Sequence, residues 1–107
     1  MILRSWHGAV PLDSGDAFEQ YLRATGIAEA KALSGNLGVF HKRVAQGNLE
    51  HFFLLTYWDS WESIRQFAGE RPYIAVTYPE DGRYGLISDP IVLHQEVHEI
   101  RPWYGES

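Results

Sequence analysis

With 107 residues the chain has the length of one domain, and at that size roughly two-thirds of the surface exposed by the unfolded chain can be buried, enough for a single core. The formal net charge is −5 and Lys42 and Arg43 form the only adjacent basic pair, which argues against nucleic acid and anionic membrane as partners. The absence of cysteine removes disulfides, thiolate nucleophiles and cysteine-based metal sites together.

Met1 to Val10 reads as a first strand, closed by Pro11. It contains Arg4 and His7 and no apolar stretch leading to a small-residue cleavage site, so neither a secretory leader nor a membrane span is expected, and a cytoplasmic location is the default. Asp13 or Ser14 can cap a helix reaching about Ala32, with Phe18, Tyr21, Leu22 and Thr25 on one face and Gly26 as a point of interruption. Ser34, Gly35 and Asn36 end it, and Leu37 to Ala45 alternates as a second strand. Gln46-Gly47-Asn48 supplies a tight turn, which pairs that strand with Leu49 to Trp58.

At Trp58 the hydrophobic period changes from a buried strand to an amphipathic helix. Asp59 is the expected cap, with Glu62 reaching back in a capping-box-like pair, and Trp61, Ile64, Phe67 and Ala68 form the apolar stripe. Glu70 to Arg83 holds two prolines, two tyrosines and the acidic pair Glu80 and Asp81. It reads as an irregular segment with one short helical turn that could form a rim or lid over a pocket. Pro90 opens a last strand, Ile91 to Val97, and residues 98–107, including Arg101, Pro102, Trp103 and Tyr104, form a tail to a single domain spanning 1–107.

The order β-α-β-β-α-β predicts an α+β sandwich of the ferredoxin-like kind, with helices on one face of the sheet. The strands are apolar at both parities, as in Ile2 and Leu3, Phe52 and Phe53, Leu54 and Leu55, and Ile91 and Val92. A second buried face needs a partner sheet, and the simplest partner is another copy in a two-fold homodimer.

Four segments then resemble one known family: Arg4-Ser5-Trp6-His7-Gly8, Gly35-Asn36-Leu37-Gly38-Val39, Leu54-Leu55-Thr56-Tyr57-Trp58-Asp59-Ser60 and Tyr78-Pro79-Glu80-Asp81. In order and spacing they are similar to the antibiotic biosynthesis monooxygenase-like proteins, small dimeric α+β barrels, over nearly the whole chain. The resemblance implies a cofactor-independent monooxygenase acting with dioxygen on a planar phenol, anthrone or quinol. The alternative, from another class, is a non-catalytic dimer that binds a small molecule or serves as a structural module. Heme degradation, also found in the family, is a third reading.

Cofactor-free oxygenation has a simple physical requirement. Dioxygen is a triplet in its ground state, so the substrate must be deprotonated until it can give up one electron; the protein must supply an apolar pocket, a base and donors for the anion. His7 is the candidate base, since imidazole titrates near neutral pH, and strand parity places it with Leu3 and Ser5; its plain alternative is a hydrogen-bonded histidine at a strand end. His94 on the last strand has the same two readings. Tyr78 in the lid segment can donate to the anion or simply pack beside Pro79. Trp58 can offer its indole N–H, or be core. Asn36 can contact substrate or serve its own turn.

Metal is not expected. His94 and His98 lie on one strand face but about 13 Å apart, and pairing Glu96 with either leaves a third ligand unaccounted for. Against heme-degrading relatives, the positions of the first-strand Asn, the second-helix Trp and the axial His correspond to Ser5, Phe67 and Thr77, and Thr cannot replace an axial imidazole. Phe67 is therefore a substrate-contact candidate, and no cofactor is expected.

Overall fold

Strand β1 (Ile2–Pro11) occupies the middle of one antiparallel sheet. Along one side it pairs with β3 (Leu49–Trp58), which pairs in turn with the edge strand β2 (Asn36–Gln46). Its other side is shared by two short strands, β4 (Ile87–Ser88) against Gly8 and Ala9 and β5 (Leu93–Glu96) against Ile2 to Ser5. The order β2-β3-β1-β4 with helices between strands is the ferredoxin-like α+β arrangement expected from the sequence. The structure, a computed structural model, describes residues 1–98; the expected tail lies, from residue 99 onward, outside the described residues. No described helix is long and apolar enough to cross a membrane.

Alternation along the strands sorts side chains between two faces. Ile2, Arg4, Trp6 and Val10 of β1 and Phe52, Leu54, Thr56 and Trp58 of β3 are buried beneath the helices. Phe18 and Leu22 of α1 (Gly15–Leu22) and Ile64 of α3 (Trp61–Ala68) close that core from above. Gly8 permits one tight fit within it, because a Cβ there would lie 2.6 Å from the Trp6 ring. The Trp6 indole N–H then donates to Ser88 Oγ at 2.8 Å, which fastens β4 to the sheet.

The first helix spans nearly the predicted residues but is not uniform. A 3-10 turn (Leu12–Ser14) leads into α1, a π-turn (Arg23–Ile27) follows, and α2 (Ala28–Lys31) completes it. Thr25 Oγ1 donates to the Tyr21 carbonyl at 2.8 Å within the π-turn, where Gly26 falls. Outside α1, Arg43 of β2 joins Asp16 and Glu19 to Glu50, and His41 also reaches Glu19 at 2.7 Å. The His41 hydrogen bond first, and Arg43 second, hold Glu19 down at about 2.

Three local expectations are corrected. Ser60, not Asp59, is the N-cap of α3: its Oγ accepts from Ser63 N–H at 3.2 Å, while the Asp59 carboxylate accepts from both serine hydroxyls. The β2-β3 turn uses positive φ at Gly47 alone (63°), so Asn48 contributes length and not a left-handed conformation. The last strand begins at Leu93, because Pro90 to Val92 bonds elsewhere: Ala75 N–H donates to the Pro90 carbonyl at 3.0 Å and Val92 N–H to the Tyr73 carbonyl at 2.7 Å. Those bonds tie residues 73–75 down, and the segment that follows, up to the 3-10 turn Asp81–Tyr84, lies over the sheet beside α1.

Candidate functional site

Between that segment, the first helix and the sheet lies a cavity lined by Arg4, Trp6, Tyr21, Thr25, Phe67 and Tyr78, with Phe18, Leu54 and Leu86 among its apolar walls. It is a narrow slot, partly open to solvent, with about 430 Å³ of space between its atoms. Trp6 and Arg4 come from β1, where burial on the helix face is set by parity; Thr25 and Gly26 come from the π-turn. A π-turn inserts one residue into a helix, and here it brings two adjacent positions to one wall.

The electrostatics of the slot are unusual for so small a domain. Arg4 is only 3% exposed, and among the described residues no carboxylate lies within ion-pair distance of it. Its Nη2 donates weakly to the Pro72 carbonyl at 3.4 Å, its guanidinium stands 5.4 Å from the centre of the Phe67 ring, and its Nε finds no partner in the protein. Burial pulls it down to about 10, so it remains charged at neutral pH. Asp81, the carboxylate among the lining residues, accepts instead from the Tyr78 backbone N–H at 2.9 Å.

Tyr78 donates its phenol proton to Glu29 Oε1 at 3.0 Å. Burial first and that carboxylate second push its ionisation well above the ordinary tyrosine range, so it stays a proton donor at any working pH. His94 pairs with Arg4 across β1 and β5, with its ring 4.9 Å from that of Trp61. Burial first and the Arg4 cation second lower its titration, leaving a neutral imidazole whose Nε2 has no partner in the protein. Arg4 Nε and His94 Nε2 are the buried side-chain polar atoms left without a partner among the described residues, and they belong to paired positions.

The sequence-predicted residues do not all converge. Tyr78 and Phe67 line the cavity and His94 stands beside its cation. His7 lies on the opposite face of β1: its Nδ1 donates to Asp89 Oδ2 at 3.0 Å, and its Nε2 lies 2.9 Å from His51 Nδ1. That outer face carries an open concavity of about 900 Å³, larger than the slot, lined by Ser5, His7, Phe53, Leu55, Asp89 and Leu93. Trp58 is fully buried and its indole N–H already donates to Thr56 Oγ1 at 2.8 Å, which makes it core. Asn36 serves its own bulge, donating to the carbonyls of Gly38 and Tyr57. Among the described residues no three His, Cys, Asp or Glu side chains are grouped as metal ligands. Arg4, Trp6, Tyr21 and Thr25 were missed; a charge at the parity of Ile2 and Trp6 was the available signal for the first.

Fold and slot together define a ferredoxin-like α+β protein with a narrow cavity under its helices. Among solved structures the chain is similar to a candidate antibiotic biosynthesis monooxygenase from Deinococcus radiodurans (TM-score 0.65, 15% identity, covering 95% of this chain and 97% of that one). It is also similar to the heme-degrader MhuD of Mycobacterium tuberculosis, solved with two hemes bound in its active site (TM-score 0.62, 19% identity, covering 95% of this chain and 100% of that one). A third is a dimeric ferredoxin-like protein from an uncultured marine organism (TM-score 0.57, 13% identity, covering 92% of this chain and 98% of that one). No protein-family model and no curated protein matches the sequence. The chain thus has the fold of the antibiotic biosynthesis monooxygenase-like proteins, as its sequence motifs suggest.

Proposed function

We propose that the cavity is the site of a cofactor-independent monooxygenase that oxidises a planar phenol, anthrone or quinol with dioxygen. The observation that carries this reading is a slot walled by Trp6, Tyr21, Phe67 and Tyr78, with a buried cation at one side. Flat rings pack between such walls, and a cation favours the deprotonated substrate, the form that can pass an electron to triplet oxygen. His94 pairs with Arg4 but is not among the lining residues, so the phenol is proposed to bind as its phenolate, with Arg4 holding the anion. Filling so tight a slot requires the 76–86 segment to lift, a small displacement of backbone held by side chains such as Tyr78 on Glu29 and by the Glu80 N–H donating to Tyr21.

A porphyrin does not fit these residues. No imidazole or thiolate lines the cavity, and Thr77 is exposed. The apolar outer sheet face supports a homodimer as well. The test is oxygen uptake with 1,8-dihydroxyanthrone in air without added cofactor. Uptake should rise with pH as the anthrone ionises, equally in the wild type and in His7→Ala, and Arg4→Met should move that rise to higher pH and lower the rate about 100-fold at neutral pH. Substrate binding without oxygen uptake would favour the non-catalytic binding module instead.

A further inference from the structure

Resting on the cavity reading above, we infer that Arg4 is an anion-recognition residue, and that the ligand is a flat aromatic molecule bound through a delocalised oxyanion, a carboxylate or a phenolate. Three other arginines of this chain pair with carboxylates even at the surface: Arg23 with Glu19, Arg83 with Glu80, and Arg43 with three acids. Arg65 and Arg71 have no ion pair but are exposed to water, so Arg4, at 3% exposed, is the buried arginine without a counter-charge among the described residues. Burying an ion unpaired is strongly unfavourable, and an apolar side chain of the same length would fill the position at no such cost. A ligand anion relieves that imbalance.

The surroundings fit an oxyanion on a ring better than a free inorganic anion. A guanidinium offers a planar fork that matches a carboxylate or a delocalised phenolate. The Arg4 guanidinium lies over the Phe67 ring, and Trp6 and Tyr21 supply apolar ring surface in the same slot. Tyr78, buried and bonded to Glu29, does not ionise, so it never competes as a negative charge. Asp81, already bonded to the Tyr78 backbone, does not neutralise Arg4 from across the slot.

Calorimetric titration with 2-naphthoate and its neutral methyl ester tests this directly, with 4-nitrophenol across its ionisation as the phenolate arm. Wild-type protein should prefer naphthoate to the ester, or nitrophenolate to nitrophenol, by about tenfold or more; whichever arm shows the preference names the oxyanion. Arg4→Met should erase the preference and, because it removes an unpaired buried charge, raise the melting temperature of the free protein. Arg4→Lys should retain a weaker preference. Equal binding of charged and neutral forms by the wild type, or an unchanged preference in Arg4→Met, overturns the inference. So does a lower melting temperature for Arg4→Met, which would make the guanidinium a structural group. Anion preference without oxygen uptake upholds the anion site and removes only the oxygenase.

Discussion

Trp58 shows how one residue can look functional in sequence and be structural in the fold. Its ring is fully buried, packs 5.6 Å from Phe67, and its N–H is satisfied by Thr56. Trp58→Phe should therefore lower stability by about 2 to 3 kcal/mol, from lost volume and an orphaned hydroxyl, while ligand affinity in the cavity is unchanged. Urea denaturation alongside titration with 2-naphthoate checks both halves, and a loss of affinity with intact stability would return Trp58 to the site. His7 teaches the complementary lesson. Its face was legible, because parity grouped it with Leu3 and Ser5, but apolar residues at both parities hid which face held the aromatic slot. The same ambiguity concealed Arg4.

Elements were more legible than residues. The hairpin of β2 and β3 follows from Gly47, whose positive φ suits the first central position of a two-residue turn, and the long strands follow from their apolar alternation. β4 could not be read, because two residues carry no period, and neither could the diversion of Pro90 to Val92, which depends on partners 15 and 19 positions away in the chain. The cap of α3 was displaced by one residue for a definite reason. Ser60 has extended φ and ψ (−160° and 163°) and bonds Ser63, while Asp59 binds the serine hydroxyls and is held below its ordinary range chiefly by Ser63. Ser60→Ala should cost about 1 kcal/mol and Glu62→Ala almost nothing. Thermal unfolding of the two variants separates a serine cap from a capping box: equal losses would restore the box.

At the scale of the whole molecule, the sheet is covered by helices on one side and bare on the other. Phe40, Ile87 and Leu93 are 58%, 64% and 68% exposed there, beside Leu3, Phe53 and Leu55, a larger apolar surface than small monomers usually leave in water. We expect two chains to pack these faces together, burying about 1,600 Å² or more in total, and Phe40→Glu to produce monomers. Sedimentation at micromolar concentration decides it, since a wild type that remains monomeric there refutes the assembly. The doubly apolar strands made this face legible in the sequence, although nothing in them specified its orientation. One consequence falls on β1. Its alternate residues belong to the cavity wall and to the bare face, with Arg4 and Trp6 on one side and Leu3, Ser5 and His7 on the other. An ordinary half-buried strand lets every second position drift freely under mutation; this one offers evolution no such alternation, and divergence between copies of the protein has to accumulate around it.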